Sequence, residues 1–435
     1  MRANSCVALL ITSIAALATS LIAQDTPKFG NNEISNARGM LRLARDEVLD
    51  KFYDPKRLDA GFADRCAAAE KDLARARSNG EAFLIIAQAF LDVGDSHTLF
   101  MPPGRRDLVE HQWEFDAIGD AVYVSRVEKG SDAETKGLRV GDRVLAIDGI
   151  EPRPADLFRI EYLLYALVPR PGMRVIVQAP GQNPRQLDIA AKVTRRPNVR
   201  NLTPESGGIY DLIRESEKND EKRRSLFASL PGGILVWRLN RFDERKVFAG
   251  LTRIDNAKAV VLDLRGNPGG TVYSCQDALA GFLKGKTHLL TEVRRNGRKE
   301  MSISGKGSFN GPLFVLIGRG SASGSELFVR TIQLRERGRL IGERTRGHLS
   351  IGNRVPLALG SAEKFVHFGV GVTIAGVEMP DGSFIERVGV TPDETVIPTH
   401  EDLYLGRDPA LARAITLAGH PISAEEAGKL IPVVN

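Results

Sequence analysis

The stretch from Pro312 to Glu326 limits the fold of this chain more than any other. An apolar strand, Pro312 to Ile317, delivers the small residues Gly320-Ser321-Ala322-Ser323-Gly324-Ser325-Glu326 into a turn that opens a helix. A hydroxyl at such a turn is exposed and faces the free N–H groups of the helix start. Those are the two needs of a serine nucleophile, because attack on a carbonyl creates an oxyanion that preorganised backbone donors stabilise. The turn has the geometry of a nucleophile elbow without the G-x-S-x-G sequence.

A second segment sharpens the reading. Ala259-Val260-Val261-Leu262-Asp263-Leu264-Arg265-Gly266-Asn267-Pro268-Gly269-Gly270 is a buried strand that breaks into a turn whose glycines can bring bare N–H groups to a ligand. Either motif alone is an ordinary strand-turn-helix junction of an α/β domain. In this order and spacing they resemble the tail-specific, or C-terminal-processing, serine peptidases. The resemblance implies a crotonase-like or ClpP-like α/β protease core, with Ser323 as nucleophile. It makes the oxyanion hole from the N–H of Gly269 and that of Gly324. Ile385-Glu386-Arg387-Val388-Gly389-Val390-Thr391-Pro392-Asp393 matches the family's closing G-V-x-P-D, so the likeness extends over nearly the whole mature chain.

The base that takes the serine proton is the open question. In the bacterial tail-specific proteases it is a lysine ending a G-E-x-x-x-G-K pattern; here Gly342-Glu343-Arg344-Thr345-Arg346-Gly347-His348 aligns without a gap and ends in histidine, and no lysine lies between Lys306 and Lys364. Two histidines can replace it. His97, in Asp95-Ser96-His97-Thr98, is similar in position to the catalytic histidine of the tricorn core protease branch, and that resemblance makes Ser96 and Glu386 its supporting groups. His348 stands in the lysine's own place but has a shorter reach. Histidine suits the task because its unperturbed pKa of about 6.5 lets it take and return a proton near neutrality. His111, His288, His367, His400 and His420 carry no matched motif. Asp263 and Arg265 share one face of a regular strand and can pair.

The remaining sequence sets the surroundings. With 435 residues, 42% hydrophobic and 26% charged, the chain has material for two or three globular domains. Its net charge of +6 is scattered, with short clusters such as Lys222-Arg223-Arg224 and Arg294-Arg295, and reads as solvated surface rather than a nucleic-acid footprint. Arg2 followed by the apolar stretch Cys6 to Ala23 reads as a signal peptide over residues 1–23, cleaved after Ser20 or Ala23 or retained as an anchor. That points to export, to the periplasm or cell envelope. Cys66 and Cys275 read as two buried free thiols, and no Cys/His spacing fits zinc, so neither metal nor other cofactor is expected.

Helical periodicity through Met40, Leu41, Ala44 and Val48, and again through Phe83, Ile86, Ala87 and Phe90, predicts a helical bundle over 27–103. Residues 108–196 change to short strands. Gly137-Leu138-Arg139-Val140-Gly141-Asp142-Arg143-Val144-Leu145-Ala146-Ile147-Asp148-Gly149 resembles a PDZ domain, which binds an extended peptide by strand addition and carboxylate capture. Phe115-Asp116-Ala117-Ile118-Gly119 is the nearest match to its carboxylate loop, so Phe115, Ile118 and Gly119 are the candidate peptide-binding residues. Alternating strands and helices over 200–400 predict the α/β core, and 401–435 a helical tail. Two functions stand at this point: an exported serine endopeptidase acting on unfolded or C-terminally presented polypeptides, or a catalytically silent PDZ-containing binding protein of the envelope. Neither takes nucleic acid as a partner, and neither fixes an oligomeric state.

Overall fold

The computed structural model describes residues 29–105, 107–195, 225–361 and 364–431. The expected signal segment lies outside them. Among the described residues no helix is long and apolar enough to cross a membrane.

Three helices open the fold: α1 (Asn31–Lys51), α2 (Asp59–Asp72) and α3 (Asn79–Leu91). On α1 the buried side chains are Ala37, Met40, Leu41, Ala44 and Val48, the stripe that a 3.6-residue period turns to one side. Ser78 caps α3, its Oγ accepting from Glu81 N at 3.1 Å. The helices share one hydrophobic cluster with Phe368, Val370 and Val372. They are therefore packed on a sheet of the core. Gly94, at φ 69°, stops the chain after α3 and sends Asp95-Ser96-His97-Thr98 into strand β1 (Leu99–Met101).

A five-stranded antiparallel sheet follows, in the order β3 (Trp113–Ile118), β4 (Ala121–Val127), β5 (Arg143–Ile147), β6 (Gly172–Gln178) and β7 (Arg185–Ala190). Helices α4 (Asp132–Thr135) and α5 (Leu157–Glu161) lie in its connections, and the short pair β2 (Asp107–Glu110) and β8 (Lys192–Arg195) brackets it. Strands β6 and β7 form a hairpin that turns around Gly181. Alternation along β3 turns Trp113, Phe115 and Ala117 into the core of this unit.

The remaining strands make two sheets. One is parallel except for its first strand: β9 (Leu226–Leu230), β10 (Ile234–Arg238), β11 (Ala259–Asp263), β14 (Leu313–Ile317), β15 (Arg339–Gly342) and β18 (Glu394–Thr395), in spatial order β18-β15-β14-β11-β10-β9. Both its faces are buried, so its strands read as unbroken apolar runs. Val260 and Leu262 face α6 (Glu244–Ile254), α7 (Val272–Phe282) and α8 (Gly324–Leu334). Ala259 and Val261 face the C-terminal helices α10 (Pro409–Leu417) and α11 (Ala424–Leu430), which close the other layer. Short α9 (His400–Tyr404) runs beside the β3–β7 unit, with Leu403 packed on Ala121 and Tyr123.

The second sheet departs from the alternation read in the sequence. Residues 284–306 form an antiparallel hairpin, β12 (Lys284–Arg294) with β13 (Gly297–Lys306), and β16 (Ser350–Ser361) pairs along its own length with residues 364–376 of β17 (Lys364–Glu378). Strand β1 adds to the other edge of β17, Met101 opposite Gly369 and Leu99 opposite Gly371. This pairing carries Asp95 to Thr98 across to the core.

Candidate active site

Strands β11 and β14 run parallel and end side by side, so the turns that follow them meet, at the carboxyl edge of the sheet where ligands of open α/β folds bind. Hydrogen bonds stitch one turn to the other. Ala322 N donates to Asn267 O at 3.0 Å, Ser325 Oγ to Asn267 O at 2.9 Å, and Ser321 Oγ to Leu264 O at 2.8 Å. Behind them Asp263 and Arg265 pair as their shared strand face predicts, Arg265 Nε donating to Asp263 Oδ1 at 2.9 Å. The same guanidinium reaches Asp408 Oδ1 at 2.9 Å, which ties the turn to the cap of α10. The two guanidiniums beside Asp263, from Arg265 and Arg238, overcome its burial and hold its carboxyl far below the usual range.

Ser323 is the residue before α8 and has φ 53°, ψ −117°. A positive φ on a residue with a Cβ costs about 1–3 kcal/mol and persists only where neighbours impose it. The side chain makes no capping hydrogen bond to α8, so the hydroxyl is not spent on the helix. Gly269 lies directly against it: a Cβ on Gly269 would sit 2.8 Å from both Gly324 N and Ser323 Cβ. Only glycine fits there.

The donor expected from Gly269 is already engaged, since its N–H donates to Asn267 Oδ1 at 2.9 Å inside the protein. The amides of Gly270 and Gly324, beside Ser323, are among those at this junction with no acceptor among the described residues. The Gly269 amide is thus occupied in this structure, while that of its neighbour Gly270 is not. The motif contained that residue, but nothing in sequence announces that Asn267 folds back on its own turn.

Asp95, Ser96 and His97 form the turn that leads into β1. Asp95 Oδ1 accepts from His97 N at 2.9 Å and Thr98 N at 3.0 Å, a local turn that sets the tripeptide, and Thr373 Oγ1 ties it to β17. His97 Nδ1 and Ser96 Oγ are 2.7 Å apart. Ser96 N donates to Glu386 Oε1 at 3.1 Å, across 290 residues of sequence. The imidazole is seated on Gly352 of β16, where a Cβ would come within 2.7 Å of His97 Cβ. The three residues singled out by the tricorn-like resemblance are thus brought together.

His348 is on the same wall. Its N–H donates to Glu326 Oε2 at 2.7 Å, and Ser323 N donates to the same oxygen at 3.0 Å. The ring, though, stands edge-on to Phe158 of α5, with centroids 5.2 Å apart. Burial, then Arg346 and His97, push its pKa down to about 3, which leaves it a poor proton acceptor at neutral pH. Burial also lowers His97 below 6.5, with Arg354 adding to the fall and Asp95 opposing it. Glu386 moves the other way, to about 7, chiefly through burial and then the Asp95 charge, while the Ser96 and Ser350 hydroxyls oppose the rise. Its Oε2 is buried without a hydrogen-bond partner among the described residues. In the tautomer whose Nδ1–H donates to Ser96 Oγ, Nε2 of His97 carries the free lone pair.

The expected peptide-binding residues divide differently. Phe115 is 3% exposed and belongs to the core of its own unit, so its ring is closed to a ligand. Its place in the W-x-F-x-A alternation already gave that answer. Ile118 packs toward Ala121, Tyr123 and Leu403 and, with Arg319 and Glu343, lines a cleft against the core. Gly119 N donates to Glu343 Oε2 at 3.0 Å. The turn expected to capture a peptide carboxylate is thereby docked on the α/β core. Cys66 and Cys275 are free and buried, and among the described residues no group of His, Cys, Asp and Glu could hold a metal ion.

Residues 233–396 match peptidase family S41, and residues 109–156 match the PDZ domain. The chain is 28% identical over 273 residues to a carboxyl-terminal-processing protease of Synechocystis sp., covering 61% of this chain but 57% of that protein. It is 28% identical over 337 residues to a carboxyl-terminal-processing protease of Picosynechococcus sp., covering 74% of each. Among solved structures, mature CPAF superposes with a TM-score of 0.61 at 13% sequence identity, covering 90% of this chain and 99% of that one, a likeness of fold.

Proposed function

We propose, from the match of residues 233–396 to peptidase family S41 and of residues 109–156 to the PDZ domain, that the chain is an exported serine endopeptidase whose acyl-enzyme forms on Ser323. The observation that carries the reading is that the turn holding Ser323 is hydrogen-bonded to Asn267 and, through Glu326, to His348, whose ring lies within electrostatic reach of His97. In the proposed reaction Ser323 Oγ attacks a peptide carbonyl and its proton passes to His97 Nε2. The oxyanion is met by the N–H groups of Gly270 and Gly324, and the proton then goes to the leaving amine. Water hydrolyses the ester by the same route reversed. Ser96 and Glu386 fix the tautomer and orientation of His97, the role a carboxylate plays in a Ser-His-Asp triad.

The substrate class we propose is polypeptide, unfolded or presented by its C-terminus. The support is the edge position of β3, which can accept an added strand through its backbone although Phe115 is unavailable. The units of the machine are residues 27–103, the PDZ-like 108–196, the core 200–400 and the helical 401–435, with 1–23 as the export signal. The lysine missing at position 348 pointed toward a silent binding protein; the His97 assembly supplies a base from elsewhere. Labelling with a fluorophosphonate tests the proposal. The parent protein is expected to gain one adduct on Ser323, and Ser323→Ala to lose both adduct and turnover while keeping peptide affinity. Undiminished turnover in Ser323→Ala would overturn it.

A further inference from the structure

Glu326 is 0% exposed and has no cationic partner among the described residues. A buried carboxylate is tolerated only where hydrogen bonds replace water. Its two oxygens accept four. Oε2 takes Ser323 N at 3.0 Å and His348 N at 2.7 Å; Oε1 takes Gly347 N at 2.6 Å and Thr345 Oγ1 at 2.6 Å. Thr345 Oγ1 in turn accepts from Val390 N at 2.7 Å, in the segment that carries Glu386. One carboxylate thus joins the nucleophile turn, the loop after β15 and the loop before β18.

A helix cap does not need this. The same S-x-x-E pattern opens α11 at Ser423, where Glu426 is exposed and accepts only from Ser423 N at 2.9 Å and Ser423 Oγ at 2.7 Å. That cap is local and faces water. At Ser323 the matching glutamate is driven inward and bonded to residues 19, 21 and 22 positions away.

We propose that Glu326 is the positioning residue of the site: it holds Ser323 in its left-handed conformation and registers the nucleophile turn against the segments bearing His348 and Glu386. By occupying Ser323 N–H it also takes that donor out of the set available to an oxyanion. Without it the turn can relax toward an unstrained φ, and the hydroxyl moves off its line of attack. The proposal rests on Ser323 being the nucleophile.

Glu326→Gln keeps the size but sets an NH2 against N–H donors, and Thr345→Val removes one donor while sparing the carboxylate. Fluorophosphonate acylation and peptide turnover are measured for both beside the parent, with amide hydrogen exchange over residues 320–326 and 343–349. Glu326→Gln is expected to acylate about a hundredfold more slowly with KM unchanged, and to lose protection in both segments. Thr345→Val is expected to lose about fivefold in rate. A parent that acylates and a Glu326→Gln variant within about threefold of it overturn the positioning role and leave the peptidase reading intact. A parent that never acylates overturns the peptidase reading; hydrogen exchange then decides, and unchanged protection in Glu326→Gln sinks the positioning claim. If Glu326→Gln does not fold, a Thr345→Val variant as fast as the parent does so.

Discussion

Replacing Glu386 by glutamine tests whether the Ser96–Glu386 support of His97 works through charge. Burial lifts the Glu386 pKa from 4.5 to about 7, so about half of the carboxyl groups are ionised at about pH 7 and about a tenth at about pH 6. His97 is itself held below 6.5, so on lowering the pH the carboxylate is neutralised before the imidazole. Activity of the parent is expected to climb through a midpoint near 7 and level off above about pH 8. Glutamine mimics the protonated acid at every pH. Glu386→Gln is therefore expected to be flat across that limb and about a hundredfold slower on the alkaline plateau, a loss typical of impaired general-base catalysis. Stability moves in the opposite sense. Between 4.5 and about 7 the folded protein keeps a proton that the unfolded chain has released, so the contribution of this group is full below 4.5 and is lost as pH rises through 7. The loss is about 3 kcal/mol, and denaturant unfolding of Glu386→Gln should show that much less decline over the same interval. A limb near 7 that survives in Glu386→Gln would refute the reasoning, since another group would then be titrating.

The other expectations concern geometry. Gly352→Ala places a methyl 2.7 Å from His97 Cβ and 2.8 Å from its Cδ2, so steady-state kinetics should show kcat reduced by about 10²-fold with KM little changed; a fully active variant would place the working base elsewhere. His97→Ala should lose at least about 10²-fold in acylation and His348→Ala no more than about threefold, because a group held to about 3 has little basicity to contribute; the reverse order in a probe-labelling time course would reassign the base. Asp408→Ala strips Arg265 of one buried partner and α10 of its cap, and urea unfolding should report a loss of about 3–5 kcal/mol. A loss below about 1 kcal/mol would mean that water already shares that ion pair.

Much of the fold was legible because it is local. The apolar period of α1, the strand before Gly266 and the glycine turns of the β3–β7 unit each fix their own backbone within a dozen residues. The pairing of Asp263 with Arg265 follows from strand parity alone. The hairpin β12–β13 and the long pair β16–β17 were not legible as a separate sheet, because short apolar runs alternating with turns look alike whether a strand adds to a parallel or an antiparallel neighbour. Phe115 shows the opposite case: its parity with Trp113 and Ala117 marked it as core, and the motif match obscured that.

By itself the sequence determined Ser323, its place ahead of a helix and the glycines facing it, since a strand, a tight turn and a helix start are set by residues in direct succession. It also named His97, Ser96 and Glu386 through a resemblance. Tertiary structure alone brought Ser96, His97 and Glu386 together, because β1 must cross to β17 before His97 comes near Gly352, and Glu386 must arrive from 290 residues beyond Ser96. Which amide of the turn stays free was decided at the same level: that of Gly269 or of Gly270 depends on where the Asn267 side chain finds its partner in the folded turn.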